Sequence, residues 1–164
     1  MQKLYIVEDT SFVVSLLNST DINHQIALEI FKKILEAKNK VRIVIPTTVL
    51  FETLFALIRN RIPKIIVQEK LWRLLMIFDV FNFSTLETTV LRLSNQIEPY
   101  ILNLPLESGI QANDLIVLCA SLDLECAPVL TFDKQMKTKF NNLHKKIYYV
   151  LNDKDKRDFL NLLE

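Results

Sequence analysis

Four carboxylates in this sequence are placed to do chemistry: Asp9, Glu52, Asp114 and Asp133. Residues 4–7 (Leu-Tyr-Ile-Val) run straight into Glu8-Asp9-Thr10-Ser11, and residues 129–132 (Val-Leu-Thr-Phe) run into Asp133. The β-branched run 41–45 ends at Pro46, and Glu52 falls in the second turn of the helix expected after it. Asp114 opens the helix that leads into the Asp133 strand. Carboxylates held close together repel and raise each other's pKa, and a divalent cation relieves that repulsion. Hard oxygen ligands suit Mg²⁺ or Mn²⁺. One or two such ions can activate water and stabilise the leaving oxygen in phosphodiester hydrolysis, with no protein nucleophile needed.

Each acid also has a plainer explanation. Asp and Glu are common at helix starts, where they cap free N–H groups and complement the helix dipole. Asp9 and Asp114 fit that description when taken singly. Glu52 does not: it sits between Phe51 and the run Leu54-Phe55-Ala56-Leu57. A carboxylate on so apolar a helix turn costs free energy if buried without a partner.

These residues need elements to carry them. Strands are expected at 4–7, 41–45, 79–83, 128–132 and 146–151, from short apolar or β-branched runs. Helices are expected at 11–17, at 21–37 with Asp21 as cap, at 48–60, and from Pro63 to 77. Further helices are expected at 86–102, 113–124, 134–140 and 154–163, with 105–111 as a loop. Short apolar strands alternating with helices predict βαβ units, hence an α/β fold of three layers (α/β/α) with a mostly parallel central sheet. In such sheets ligands bind beyond the carboxyl ends of the strands. Asp9 and Asp133 both stand at that edge.

Composition is consistent with one folded unit over 1–164. The chain has 164 residues, half of them hydrophobic, with one Gly and five Pro. That excludes collagen-like and disordered classes. The net charge of +1, from 20 basic and 19 acidic residues, is neutral with respect to nucleic-acid binding. The opening apolar run is broken by Glu8 and Asp9, so no signal peptide is expected. Nor does any uncharged run reach the ~18 residues of a membrane span. The expected location is the cytoplasm. Cys119 and Cys126 are read as two buried, reduced thiols. His24 and His144 have no metal-binding partner spacing, and His24 is read as a helix surface or packing residue. Lys134, Lys137, Lys139, Lys145 and Lys146 are read as a solvated basic face. Leu71, Trp72, Leu74, Leu75 and Phe78 are read as core or dimer surface.

At the acidic positions the sequence resembles the PIN-domain family. Val7-Glu8-Asp9-Thr10-Ser11 is similar to its first motif, an apolar strand ending in Asp followed by Thr or Ser. Asn23-His24-Gln25-Ile26-Ala27 resembles the start of its second helix, and Pro46-Thr47-Thr48-Val49-Leu50-Phe51-Glu52 the segment carrying its Glu. Asn113-Asp114-Leu115-Ile116-Val117-Leu118-Cys119-Ala120 resembles the motif of its third acid. Ala127-Pro128-Val129-Leu130-Thr131-Phe132-Asp133 resembles its strand ending in Thr-x-Asp. The matches keep the family's order over nearly the whole chain.

The resemblance implies a Mg²⁺- or Mn²⁺-dependent ribonuclease with Asp9, Glu52, Asp114 and Asp133 as catalytic metal ligands. The small size is similar to VapC toxins, which implies an RNA substrate, a VapB-like antitoxin and a homodimer. Thr10, Ser11 and Thr131 would then orient metal, water or phosphate, although capping and turn hydrogen bonds explain them equally well. The chain departs from the family in three ways. Met136 and Phe140 are the nearest apolar residues after the last Asp, Glu125-Cys126 stand where a Gly commonly precedes the last strand, and the helix pair over 49–78 is unusually apolar. None removes an acid.

Other functions fit less well. Ile6-Val7-Glu8-Asp9 also resembles the first strand of a receiver-like signalling domain, but no Asp occurs between Asp21 and Asp79 to serve as phosphoacceptor. A haloacid-dehalogenase-like phosphatase needs Asp-x-Asp, and Asp9-Thr10-Ser11 lacks the second Asp. A catalytically silent PIN-like RNA-binding or scaffold protein keeps the fold and differs only in activity.

Overall fold

The computed structural model describes residues 3–77, 79–81, 112–141 and 144–164. Over these the strands are β1 (Leu4–Glu8), β2 (Val41–Pro46), β3 (Asp79–Phe81), β4 (Val129–Thr131) and β5 (Ile147–Tyr149). The helices are α1 (Thr10–Leu17), α2 (His24–Glu36), α3 (Thr47–Arg59), α4 (Lys64–Leu75), α5 (Ala112–Asp123), α6 (Lys134–Phe140) and α7 (Asp153–Asn161). The expected helix at 86–102 and loop at 105–111 lie outside the described residues.

The strands form one sheet of order β3-β2-β1-β4-β5, parallel at every described pairing. Val7 pairs with Val44 on one side and Val129 on the other. Ile6, Val7, Ile45, Val129 and Leu130 are fully buried, as a parallel sheet covered on both faces requires. β1, β2 and β3 succeed one another in a single direction, and the helices between them pack together, α1 against α2 and α3, and α3 against α4. β4 and β5 lie on the other side of β1, with α5 packed against β1, β2 and β4, and α6 against β4 and β5. The three-layer α/β reading holds. The strand order reverses between β1 and β4, and the crevice beyond their carboxyl ends is where such sheets bind ligands.

Phe12, Val13 and Leu16 of α1, Ala27, Ile30 and Ile34 of α2, and Val117, Leu118 and Ala120 of α5 join the strands in one core. Burying a side chain of that size contributes about 1.5–3 kcal/mol, so positions at the strand ends are firmly fixed. Among the described residues no helix is long and apolar enough to cross a membrane.

Several expectations change on contact with the structure. Asp21 does not cap α2. Its carboxylate accepts from Ser15 Oγ at 3.1 Å and Asn23 N at 2.8 Å, forming a local turn that uses up the side chain, and the helix begins at His24. Pro63 caps α4 from outside the first turn. Cys119 is buried, its thiol pushed up to about 12 by desolvation, but Cys126 is exposed. The cause is backbone geometry: Glu125 and Cys126 both adopt left-handed conformations (φ 58° and 59°) where the chain turns into β4. This is the place where a Gly would avoid the Cβ clash.

Both histidines are structural. His24 Nδ1 donates to Ser15 O at 2.8 Å, tying α2 to α1. His144 is buried beside Ser121 and Ala127. Lys146 N donates to its Nδ1 at 3.3 Å, so the ring proton sits on Nε2. Burial lowers its pKa, in keeping with a neutral ring. Within the basic run Lys137 turns inward, donating to Ile147 O at 2.5 Å, while Lys134, Lys145 and Lys146 are exposed. Leu74 belongs to the core, whereas Trp72 and Leu75 are exposed. Phe78 lies outside the described residues.

Candidate metal centre

Asp9 follows β1 directly and caps α1. Its Oδ2 accepts from Ser11 N at 3.3 Å, Ser11 Oγ at 2.6 Å and Thr131 Oγ1 at 2.8 Å. The two hydroxyls are used alike. Ser11 Oγ accepts from Phe132 N at 2.9 Å, and Thr131 Oγ1 accepts from Asp133 N at 2.8 Å. A hydroxyl has one proton to give, and both spend theirs on Asp9. Their own separation of 3.1 Å is therefore a close contact with no proton left to share. Two backbone N–H groups of the turn after β4 thus reach the Asp9 carboxylate through two hydroxyl relays. Burial raises the Asp9 pKa; the Ser11 and Thr131 hydroxyls and the N–H groups of Thr10 and Ser11 oppose that rise.

Glu52 stands in the second turn of α3, half-buried. Its Oε2 accepts from Thr10 Oγ1 and its Oε1 from Asn113 Nδ2. Asp114, next to Asn113, lies in the first turn of α5 and is half-buried. Asp133 caps α6, accepting from Gln135 N at 2.7 Å. Two hydrogen-bonded runs meet at the Asp9–Thr10 peptide, and each of the four acids belongs to one of them or is adjacent in sequence to a member. One runs from Asp133 N through Thr131 to Asp9, the other from Thr10 through Glu52 to Asn113.

The acids share an edge without closing on a point. Among the described residues, no group of three or more His, Cys, Asp or Glu side chains stands ready to hold a metal ion. The hydrogen bonds explain the spacing: donors on three separate helices hold the carboxylates, and like charges have no reason to approach further without a cation. The donor set is nonetheless all carboxylate and hydroxyl oxygen, which is what Mg²⁺ and Mn²⁺ take.

The PIN domain family model matches residues 6–140. The chain belongs to the PIN domain family. Curated proteins give no sequence match. Among solved structures, the VapC20 toxin of Mycobacterium tuberculosis, described as cleaving the Sarcin-Ricin loop, is similar with a TM-score of 0.60 at 20% identity. That likeness covers 81% of this chain and 93% of the toxin. A second, VapBC2 of Rickettsia felis bound to a DNA fragment from its promoter, gives a TM-score of 0.55 at 24% identity. It covers 82% of this chain and 92% of that one. Both likenesses are of fold.

Two residues of this PIN domain went unassigned in the sequence. Asn113 had no signal, since its contact with Glu52 spans 61 positions. Glu8 did have one: a residue at the end of a strand covered on both faces is buried whichever way it points. It is 0% exposed, and neither carboxylate oxygen has a hydrogen-bond partner among the described residues. Burial raises its pKa well above the usual carboxylate value.

Proposed function

We propose that this PIN domain is a metal-dependent endoribonuclease, the toxin of a VapBC-type pair acting in the cytoplasm, with 1–164 as one functional unit. The observation that carries this reading is a pair of hydrogen-bonded runs at the β1–β4 switch point, one joining Asp9 to the Asp133 turn through Thr131 and the other tying Glu52 to Thr10, the residue after Asp9. A buried carboxylate held by hydroxyl donors on one oxygen is fixed in direction while keeping lone pairs for a cation. Asp9, Glu52, Asp114 and Asp133 are the ligands. Mg²⁺ or Mn²⁺ bound there supplies Lewis-acid stabilisation of phosphate charge and activation of water. Ser11 and Thr131 set the direction of Asp9, and Thr10 sets that of Glu52.

The surface supports a protein partner. Phe51, Phe55 and Ile58 on α3, and Ile65, Ile66 and Trp72 on α4, are exposed. Clustered apolar exposure of that kind marks an interaction surface. In a toxin it would be covered by a VapB-like antitoxin or by a second copy in a homodimer. The Rickettsia felis neighbour is described as VapBC2 bound to a DNA fragment from its promoter, in line with that reading.

The deciding experiment is cleavage of a structured RNA pool with Mn²⁺ or Mg²⁺, comparing wild type with Asp9→Asn. Cutting that both EDTA and the substitution stop is the expected result. If folded Asp9→Asn cuts as fast as wild type, the site is misassigned. If folded wild type binds Mn²⁺ and bound RNA stays whole, the domain is a silent RNA-binding or scaffold protein.

A further inference from the structure

We propose that Asn113 is a positioning residue for Glu52, holding its carboxylate in the orientation that receives the cation; this rests on the reading of Glu52 as a ligand. Glu52 is gripped from two sides. Thr10, the first residue of α1, donates to Oε2, and Asn113, in the first turn of α5, donates to Oε1. One carboxylate thereby ties together the starts of α1 and α5 through the second turn of α3. The helices themselves pack in the same arrangement, α3 against both α1 and α5.

The chemistry of the two donors suits the task. A glutamate side chain loses up to about 1.5–2 kcal/mol of rotamer freedom when it is fixed. A ligand already fixed before the cation arrives does not charge that cost to binding. One donor on each oxygen defines the plane of the carboxylate, which a single donor leaves free to rotate. Each oxygen accepts two bonds, so each keeps a lone pair for metal. Both donors are neutral. A lysine or arginine in the place of Asn113 would grip as well but would cancel the charge that attracts a cation. An apolar residue there would leave Oε1 unheld. Amide, length and neutrality together make Asn113 the second half of a clamp whose first half is Thr10.

The test is Mn²⁺ affinity by titration calorimetry on the full chain, with unfolding midpoints recorded alongside. Asn113→Leu keeps the volume and removes the donor, and should weaken Mn²⁺ binding about tenfold, or ~1.4 kcal/mol. Asn113→Gln keeps the amide and should stay within about threefold of wild type. Glu52→Gln should weaken binding by itself. Adding Asn113→Leu to Glu52→Gln should then change it less than about twofold, because the clamp has nothing left to hold. Purely structural loosening would lower affinity equally in both backgrounds, and that result overturns the proposal. So does wild-type affinity in Asn113→Leu while Glu52→Gln is impaired. If Glu52→Gln binds Mn²⁺ like wild type, or wild type binds none, the ligand reading fails and the clamp falls with it. Should Asn113→Leu not fold, Asn113→Ala carries the same comparison.

Discussion

Glu8 and Asp9 are neighbours at the end of β1, both buried, and both have pKa values raised by burial. Their surroundings are nonetheless opposite. Asp9 pairs with Thr131 and receives three hydrogen bonds on one oxygen. Among the described residues Glu8 receives none on either. Sheet parity is the cause. Successive side chains on a strand point to opposite faces, and Glu8 is in register with Leu130, the residue before Thr131. Phe132, which shares Leu130's parity, stacks on Phe12 of α1 at 5.5 Å. Glu8 therefore shares the face of Leu130, while Asp9 meets the hydroxyls. Two acids with the same burial differ by a rotation of one residue along the strand. The difference teaches that partners, rather than burial or a raised pKa, mark which carboxylate is built into a site.

The largest effect should separate the two in RNA cleavage. Asp9→Asn keeps the shape of the side chain but removes the charge, and should lower metal-dependent cutting by more than about a hundredfold. Loss of residues that merely support ligands already costs 10–100-fold. Glu8→Gln, changed in the same way one position earlier, should stay within about threefold. Equal losses in both variants would break the comparison and draw Glu8 into the reaction.

Stability should respond in the reverse order. A buried polar group without a partner costs about 1–3 kcal/mol. Glu8→Met replaces it with an apolar side chain of similar length, so the unfolding midpoint should rise by several degrees. The gain should depend on pH. The folded chain holds the Glu8 proton more tightly than the unfolded chain, whose carboxyl titrates near 4.5. Glu8's contribution is thus fully present below about 4.5 and is lost as the pH rises through the folded value. The advantage of Glu8→Met should be small near pH 4 and largest at neutral to alkaline pH in urea melts. An advantage independent of pH would mean that Glu8 has a partner and titrates normally.

This contrast also shows how far the sequence can be read. Apolar runs ending in acids locate Asp9 and Asp133 because a covered strand must stop being apolar where it leaves the sheet. The period of two likewise puts residues 8 and 9 on opposite faces, although knowing which face is polar requires Thr131 and Phe132 beside them. That pairing joins positions 122 apart and depends on the strand order. Asn113 on Glu52 is of the same kind, a contact between helix starts that no local pattern encodes. Asp21 fails in the other direction: a good cap by type, it is taken by a local turn with Ser15 and Asn23 before the helix begins. Local chemistry fixes what a residue can do, and tertiary geometry decides which of those things it does.

The smallest expected effect sharpens the comparison from the side of Asp9. Thr131→Val removes the hydroxyl and keeps the β-branched shape that the strand favours. Asp9 loses one of its donors, and Asp133 N loses its acceptor. A net hydrogen bond is worth about 0.5–1.5 kcal/mol, so Mn²⁺ affinity should fall only a few-fold. Because the Thr131 hydroxyl lowers the Asp9 pKa, its loss should also shift the acid limb of Mn²⁺ binding to higher pH. Thr131→Ser restores the hydroxyl and should restore both quantities. If Thr131→Val leaves the acid limb in place, the relay through Thr131 does not tune Asp9. The distinction between Asp9 and Glu8 would then rest on Ser11 and the backbone alone.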